Sequence, residues 1–383
     1  MRIGSDPARR RSETDAPSRP RPAKLTNIQA LRAFAATSVV LSHSGRMLWT
    51  QRDEAAFHVA FNDHLGTFGV VIFFAVSGFL MSRLARSTDA GTFLVHRIVR
   101  IYPAFLLVAA LWLPLRPLFG GSGRPDWLAL SLAPVGLRDY PLGVEWTLVY
   151  ETSFYVLVYL VAASGQVGKL EALAVAWLAL LAAAALSGAP LVAAEPFPRL
   201  HAVFLKDANV AFAAGLLLPR FVDRVPRPDW LLGLGILLAL LVVGGEGQPL
   251  RWLMVPPALL ILVGLLRVPQ LDERSLLGGA VVRVGDWSYV LYLVHMPVLV
   301  ATFASAPSGL PGSGLFCVAV ATSLLAAAAI GPLDVGLYRW SRRKVDDVRG
   351  AVRTRAAAAF AIVYVALAAA ALVPRGAWTG WMR

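Results

Sequence analysis

The sequence predicts an all-α fold, a polytopic transmembrane helical bundle of about 11 spans with its N-terminus in the cytoplasm. Three observations carry this. Hydrophobic residues make up 57% of the chain and charged residues 15%, with a mean hydropathy of +0.63; a soluble domain holds about 25% charged residues. Apolar runs of roughly 17–22 residues recur along the chain, each long enough to cross a hydrocarbon core as a helix. Lys and Arg gather at the ends of those runs and alternate in density from one end to the next.

The runs fall at 27–47, 67–84, 98–118, 143–163, 169–187, 203–219, 230–246, 251–267, 287–305, 314–338 and 356–374. With the N-terminus inside, cytoplasmic segments hold 25 of the 36 Lys and Arg, outer segments hold ten, and Arg32 lies within the first run. This bias has the sign of the positive-inside rule, so the formal charge of +13 is read as a topology signal and not as a nucleic-acid surface. Residues 1–24, rich in Arg, Pro and Ser, read as a disordered basic cytoplasmic tail. The lone Cys317 excludes an intrachain disulfide or a Cys-rich metal site. The outer loops are short, and no internal repeat or matched pair of broken helices marks a transporter.

The first run, Leu25–Gly45, organises the rest. Thr26 and Gln29 have capping-box spacing, which predicts the helix start. Arg32 and His43 then lie eleven residues apart, three turns plus roughly 20°, on one face and about 16 Å apart along the axis. Ala35, Ala36 and Val39 between them are small, which predicts a narrow polar slot. Ionisable residues inside a span are costly and face a polar interior; an alternative is that Arg32 reaches the inner headgroups and His43 the outer interface. In the second run, Ser77-Gly78 reads either as a packing notch or as a substrate contact.

Arg97 and Arg100, three apart at the start of the third run, share a face. They suit a phosphate-bearing cytosolic ligand or serve as plain topological anchors. Pro103 is expected within the first turns of that helix. Glu151, about eight residues inside the fourth run, is expected near the depth of His43, where a carboxylate could orient an imidazole or form a structural pair. The sixth run contains Asp207 and Asn209. The ninth contains His295 two residues before Pro297, read as a site residue or as a satisfied structural histidine.

Taken together these stretches resemble the integral-membrane acyltransferase 3 family, in particular its exopolysaccharide and O-antigen O-acetyltransferase branch. Arg32 and His43 match a basic-X10-His motif. Phe68–Leu80 is similar to the second-span signature, and Arg97-Ile-Val-Arg100 with Tyr102-Pro103 to an RxxR motif followed by tyrosine-proline. Glu145-Trp146-Thr147-Leu148-Val149-Tyr150-Glu151 with Phe154-Tyr155 resembles a Trp-Ser-Leu-x-x-Glu-x-x-Phe-Tyr pattern, with Thr147 in place of serine. Ser288-Tyr289 through Tyr292, His295 and Pro297 resembles the ninth-span segment. The likeness covers residues 25–340 as a membrane acyltransferase domain. Residues 341–383 then form a basic cytoplasmic loop, an added helix and a short tail. The family's usual carboxylate near the end of the tenth span falls nearest Asp334.

The resemblance implies transfer of an acyl group, acetyl above all, from cytosolic acyl-CoA to a hydroxyl of a glycan or lipid-linked saccharide, in a bacterial-type cytoplasmic membrane. It implies His43 and Glu151 as catalytic groups and Arg32, Arg97 and Arg100 as donor-binding groups. Ser77, Tyr155, Tyr292 and His295 are the further substrate-site candidates. It implies no metal and no tightly bound cofactor, acetyl-CoA being a substrate. Partners are acyl-CoA, the glycan acceptor and membrane lipids. His43 would act as general base or carry the acyl group briefly. Two other classes are a transporter or flippase of lipid-linked saccharides, which would want many cations at mid-membrane, and a non-catalytic envelope-assembly protein, which would have no reason to align His43, Glu151 and His295.

Overall fold

The computed structural model describes residues 25–187, 197–225, 228–245 and 251–372; the basic tail read for residues 1–24 and the short tail after the last helix lie outside them. Among the described residues there is no β-strand, and fourteen α-helices follow one another: α1 (Thr26–Arg52), α2 (Ala56–Ala60), α3 (Asp63–Ser87), α4 (Ala90–Trp112), α5 (Trp127–Leu130), α6 (Glu145–Ala163), α7 (Leu170–Leu186), α8 (Leu200–Val203), α9 (Asn209–Phe221), α10 (Pro228–Val243), α11 (Arg251–Arg267), α12 (Leu276–Ser305), α13 (Gly312–Asp346) and α14 (Gly350–Ala370).

Each of the eleven apolar runs contains a helix, yet among the described residues only seven helices are long and apolar enough to cross a membrane: α3, α4, α6, α7, α12, α13 and α14. The other four fall short for two reasons. α1 is long but diluted by Gln29, Arg32, Ser38, Ser42 and His43. α9, α10 and α11 have 13, 16 and 17 residues, so α9 reaches only about 20 Å at 1.5 Å per residue. α1 and α9 are largely buried among protein neighbours, whereas α10 leaves Leu234, Ile236, Leu237, Leu240 and Leu241 exposed.

Several boundaries differ from the sequence reading. The capping box does not form: Thr26 Oγ1 donates to the Leu271 carbonyl, Gln29 Oε1 accepts from Arg32, and Gln270 Oε1 instead accepts from the Asn27 N–H at 3.1 Å. The Asn27 side chain adds bonds to Leu265, Pro269 and Leu271, so the start of α1 is tied to the α11–α12 turn. α4 begins eight residues before the apolar run, capped by Asp89 accepting from Thr92 N–H at 2.9 Å. Pro103 therefore lies in the interior of α4 and not in its first turns. α12 likewise begins at Leu276, capped by Ser275 accepting from Gly278 N–H. Apolar windows see only the lipid-length part of a helix that continues past it.

α3 is the axis. It packs against α1, α6, α9 and α11, while α12 joins α1 to α13, and α4 packs against α6, α13 and α14. Two glycines set the α3–α9 distance: a Cβ on Gly78 would overlap the Phe212 carbonyl, and one on Gly215 would overlap the Ala75 carbonyl. Close backbone approach of this kind replaces the hydrophobic drive that lipid cannot supply. Helix ends gather at two faces. Arg46–Asp63 and Arg251–Asp207 join ends at one face; Arg86–Glu171 and His96–Asp346 join ends at the other.

Candidate active site

Five helices, α1, α3, α4, α6 and α12, surround a cavity of about 130 Å³. Arg32, Ser77, Arg97, Arg100, Glu151, Tyr155 and Tyr292 all line it, so seven of the nine residues singled out from sequence converge. A second cavity, of about 200 Å³, lies toward the face where α1 ends. His43 lines this one, with Arg46, Asp63, Trp146 and Arg251. Val70 and Tyr292 line both cavities, and that is where the two chambers adjoin. The small-residue slot expected along α1 is closed at Ala35, which is fully buried, its carbonyl against Gly69 of α3.

Arginines dominate the first chamber. Arg100 is paired: its Nη1 lies 3.1 Å from Oδ2 of Asp334, itself 2% exposed, and its guanidinium sits 5.1 and 5.3 Å from the ring centroids of Tyr289 and Tyr338. Arg32 donates to Gln29 Oε1 at 3.3 Å. Arg97 has no hydrogen bond or ion pair among the described residues, and its Nε is buried without a partner. Of the RxxR pair, then, Arg100 is already neutralised and Arg97 is the cation left for a ligand.

Glu151 does not orient His43. Its Oε1 accepts from Ser77 Oγ at 3.4 Å and from the Tyr155 hydroxyl, and it faces the arginine chamber. Shared depth in the membrane fixed its height but not which side of α6 it leaves from. Ser77 and Gly78 divide their readings: the serine enters the chamber, and the glycine is the packing notch.

The partner of His43 is His295. Nδ1 of His43 lies 2.9 Å from Nε2 of His295, with the rings stacked at 5.2 Å and 11°. His295 is fully buried, lines neither chamber, and places its Nδ1 2.7 Å from the Tyr292 carbonyl. A carbonyl only accepts, so Nδ1 of His295 carries the proton. With both rings neutral, Nε2 of His295 must then accept and Nδ1 of His43 must donate. Nε2 of His43 is left with its lone pair. Tyr292 serves this twice, its carbonyl holding the His295 tautomer and its side chain standing between the chambers. The Tyr292 hydroxyl accepts from Thr147 Oγ1 at 2.9 Å, so the threonine found in place of serine still bonds.

Sequence reasoning missed Tyr289, Tyr338, Trp146 and Arg251. Only Asp207, the partner of Arg251, had been singled out; Asn209 is structural, its amide donating to the Val203 and Lys206 carbonyls.

Residues 25–332 match the family model described as an acyltransferase domain. The chain is 26% identical over 316 residues to acyltransferase MdmB of Streptomyces mycarofaciens, covering 73% of this chain and 80% of the relative. It is 33% identical over 157 residues to nodulation protein 10 of Rhizobium leguminosarum bv. viciae, covering 34% and 42% respectively. No solved structure matches.

Proposed function

From the premise that this chain belongs to the acyltransferase 3 family, we propose that it moves an acyl group, acetyl foremost, from cytosolic acyl-CoA to a hydroxyl of an envelope or exported glycan. The observation that carries this is the pair of adjoining chambers, one lined by arginines and one holding the free Nε2 of His43, with Tyr292 common to both. Arg97 and Arg32 would face the coenzyme's phosphates, guanidinium being suited to forked phosphate contacts. The pantetheine arm would reach past Tyr292 toward His43. There the acceptor hydroxyl loses its proton to His43 Nε2 as its oxygen attacks the thioester carbonyl. The C–S bond breaks, and the proton passes to the leaving sulfur. His295 accepts from His43 Nδ1–H throughout, steadying the imidazolium as the acid of a catalytic triad does, without taking a proton itself. Glu151, bonded to Ser77 and Tyr155, shapes the donor chamber.

Membranes from cells with and without this protein, incubated with labelled acetyl-CoA, test the reading. Label in alkali-labile glycan esters only where the chain is present is the expected result; equal labelling sinks it. Arg97→Ala is expected to raise the half-saturating acetyl-CoA concentration about ten- to a hundredfold, the loss of a charge-assisted bond being worth about 1.5–3 kcal/mol, with acceptor use little changed. An unchanged donor dependence would return Arg97 to the role of a topological anchor. The orientation is checked by reporter fusions: a fusion ahead of Met1 should report from the cytoplasm and one after Arg383 from outside. Termini on a common side would remove one span from the count.

A further inference from the structure

We propose that the His43 chamber binds a neutral saccharide, with Trp146 and Arg251 as its acceptor-specificity residues. This rests on the acyl-transfer reading and adds to it the class of acceptor and the groups that read it. Two arginines line the chamber, and each is tied to a carboxylate: Arg46 Nη2 lies 2.6 Å from Asp63 Oδ2, and Arg251 Nη1 lies 2.8 Å from Asp207 Oδ1. Their charges cancel on the protein itself. A phosphate or carboxylate on the acceptor would find no uncompensated cation here, in contrast to the donor chamber with Arg97.

What the walls do offer is donors and acceptors side by side. A guanidinium has five N–H donors, and a carboxylate about four lone-pair positions, so the Arg46–Asp63 pair, both of whose members line the chamber, keeps free donors and acceptors there, while Arg251 keeps free donors. Vicinal hydroxyls, which both donate and accept, are the groups that use such a wall fully. Trp146 supplies the apolar part. It lines the chamber with the Arg251 guanidinium 5.8 Å from its ring centroid, which holds the indole in place by a cation–π contact. An aromatic wall beside charged pairs suits a pyranose, apolar across its C–H face and polar at its rim.

The access also fits. The chamber lies where α1 ends and where α3, α6 and α11 begin, and the Arg46 side chain on its wall is 54% exposed, so the chamber lies close to the surface at the loop ends. Asp207 touches no chamber surface and acts as a positioning residue for Arg251. It also gives the conspicuous carboxylate of the sixth run a use.

The test uses the full chain in nanodiscs, with a panel of neutral mono- to trisaccharide methyl glycosides as probes and glucose 6-phosphate as the anionic counterpart, read by ligand-observed NMR. The parent should bind at least one neutral glycoside more tightly than the phosphorylated sugar. Trp146→Ala and Arg251→Gln should each weaken that binding about tenfold or more, with acetyl-CoA binding and thermal stability near parental. Asp207→Asn should weaken glycoside binding less than Arg251→Gln does. Should Arg251→Gln not fold, Arg251→Lys keeps the charge and the Asp207 pair but loses the planar fork, and should still weaken binding. No binding by any neutral glycoside, a preference for the phosphorylated sugar, or variants that bind like the parent would overturn the proposal. Glycoside binding without acetyl transfer to glycans would instead overturn the transfer reading and leave this site standing.

Discussion

His43→Ala is expected to lower acyl transfer by about 10²–10⁴-fold, the usual cost of losing a positioned general base, with folded protein and acetyl-CoA binding retained. His43→Gln, similar in shape but no base, is expected within tenfold of the alanine variant. In the proposed mechanism His295 acts through His43, so His295→Gln should cost less, roughly 10²-fold, because His43 is then free to carry its proton on the nitrogen that faces the acceptor. The two losses share one hydrogen bond of 2.9 Å and are not additive: the double variant should be no slower than His43→Ala alone. A kinetic cycle on purified protein with labelled acetyl-CoA measures all of these. Parental turnover in His43→Gln would rule His43 out as the base. Rates that multiply in the double variant would show that the two histidines act independently.

The bundle was legible because lipid-length apolar runs and their basic flanks are local signals. The ends of α4 and α12 were not, although Asp89 and Ser275 are ordinary capping residues, because a hydropathy window stops where the lipid would and the helices go on. Most of the arginine-lined chamber was legible too: a titratable or hydroxyl side chain within an apolar run has few places to go but a shared interior. What escaped was pairing. Arg32 and His43 do share a helix face, but the next helix fills the ground between them at Gly69. Glu151 was assigned to His43 from depth alone, when the turn of α6 sends it to Ser77 and Tyr155. The His43–His295 contact spans 252 residues of sequence, and no periodicity encodes a meeting of that kind. Trp146 and Tyr289 sat inside quoted motifs, and Arg251 opened the eighth apolar run, without a local feature to separate them from ordinary interface residues.

Arg97 and Arg100 look equivalent in sequence, and their variants should not behave alike. Arg100→Ala leaves Asp334, 2% exposed, without its guanidinium. Removing one partner of a buried ion pair costs about 3–5 kcal/mol, since the other charge stays desolvated. Two aromatic neighbours, Tyr289 and Tyr338, lose their cation as well. The expected outcome is a marked drop in thermal stability and in folded yield, unlike Arg97→Ala, which should unfold near the parent's temperature. Asp334→Asn should recover part of the stability in the Arg100→Ala background, because a neutral amide is cheaper to bury than a lone carboxylate. If Arg100 also meets the coenzyme, that rescued double variant should remain poor in acetyl-CoA use; if its role is the pair alone, donor dependence should return to the parent's. Thermal unfolding in nanodiscs, followed by acetyl-CoA titration of each variant, separates the two. An Arg100→Ala protein as stable as the parent, with only its donor affinity lowered, would show that the Asp334 contact contributes nothing to the fold and that Arg100 is a ligand group like Arg97.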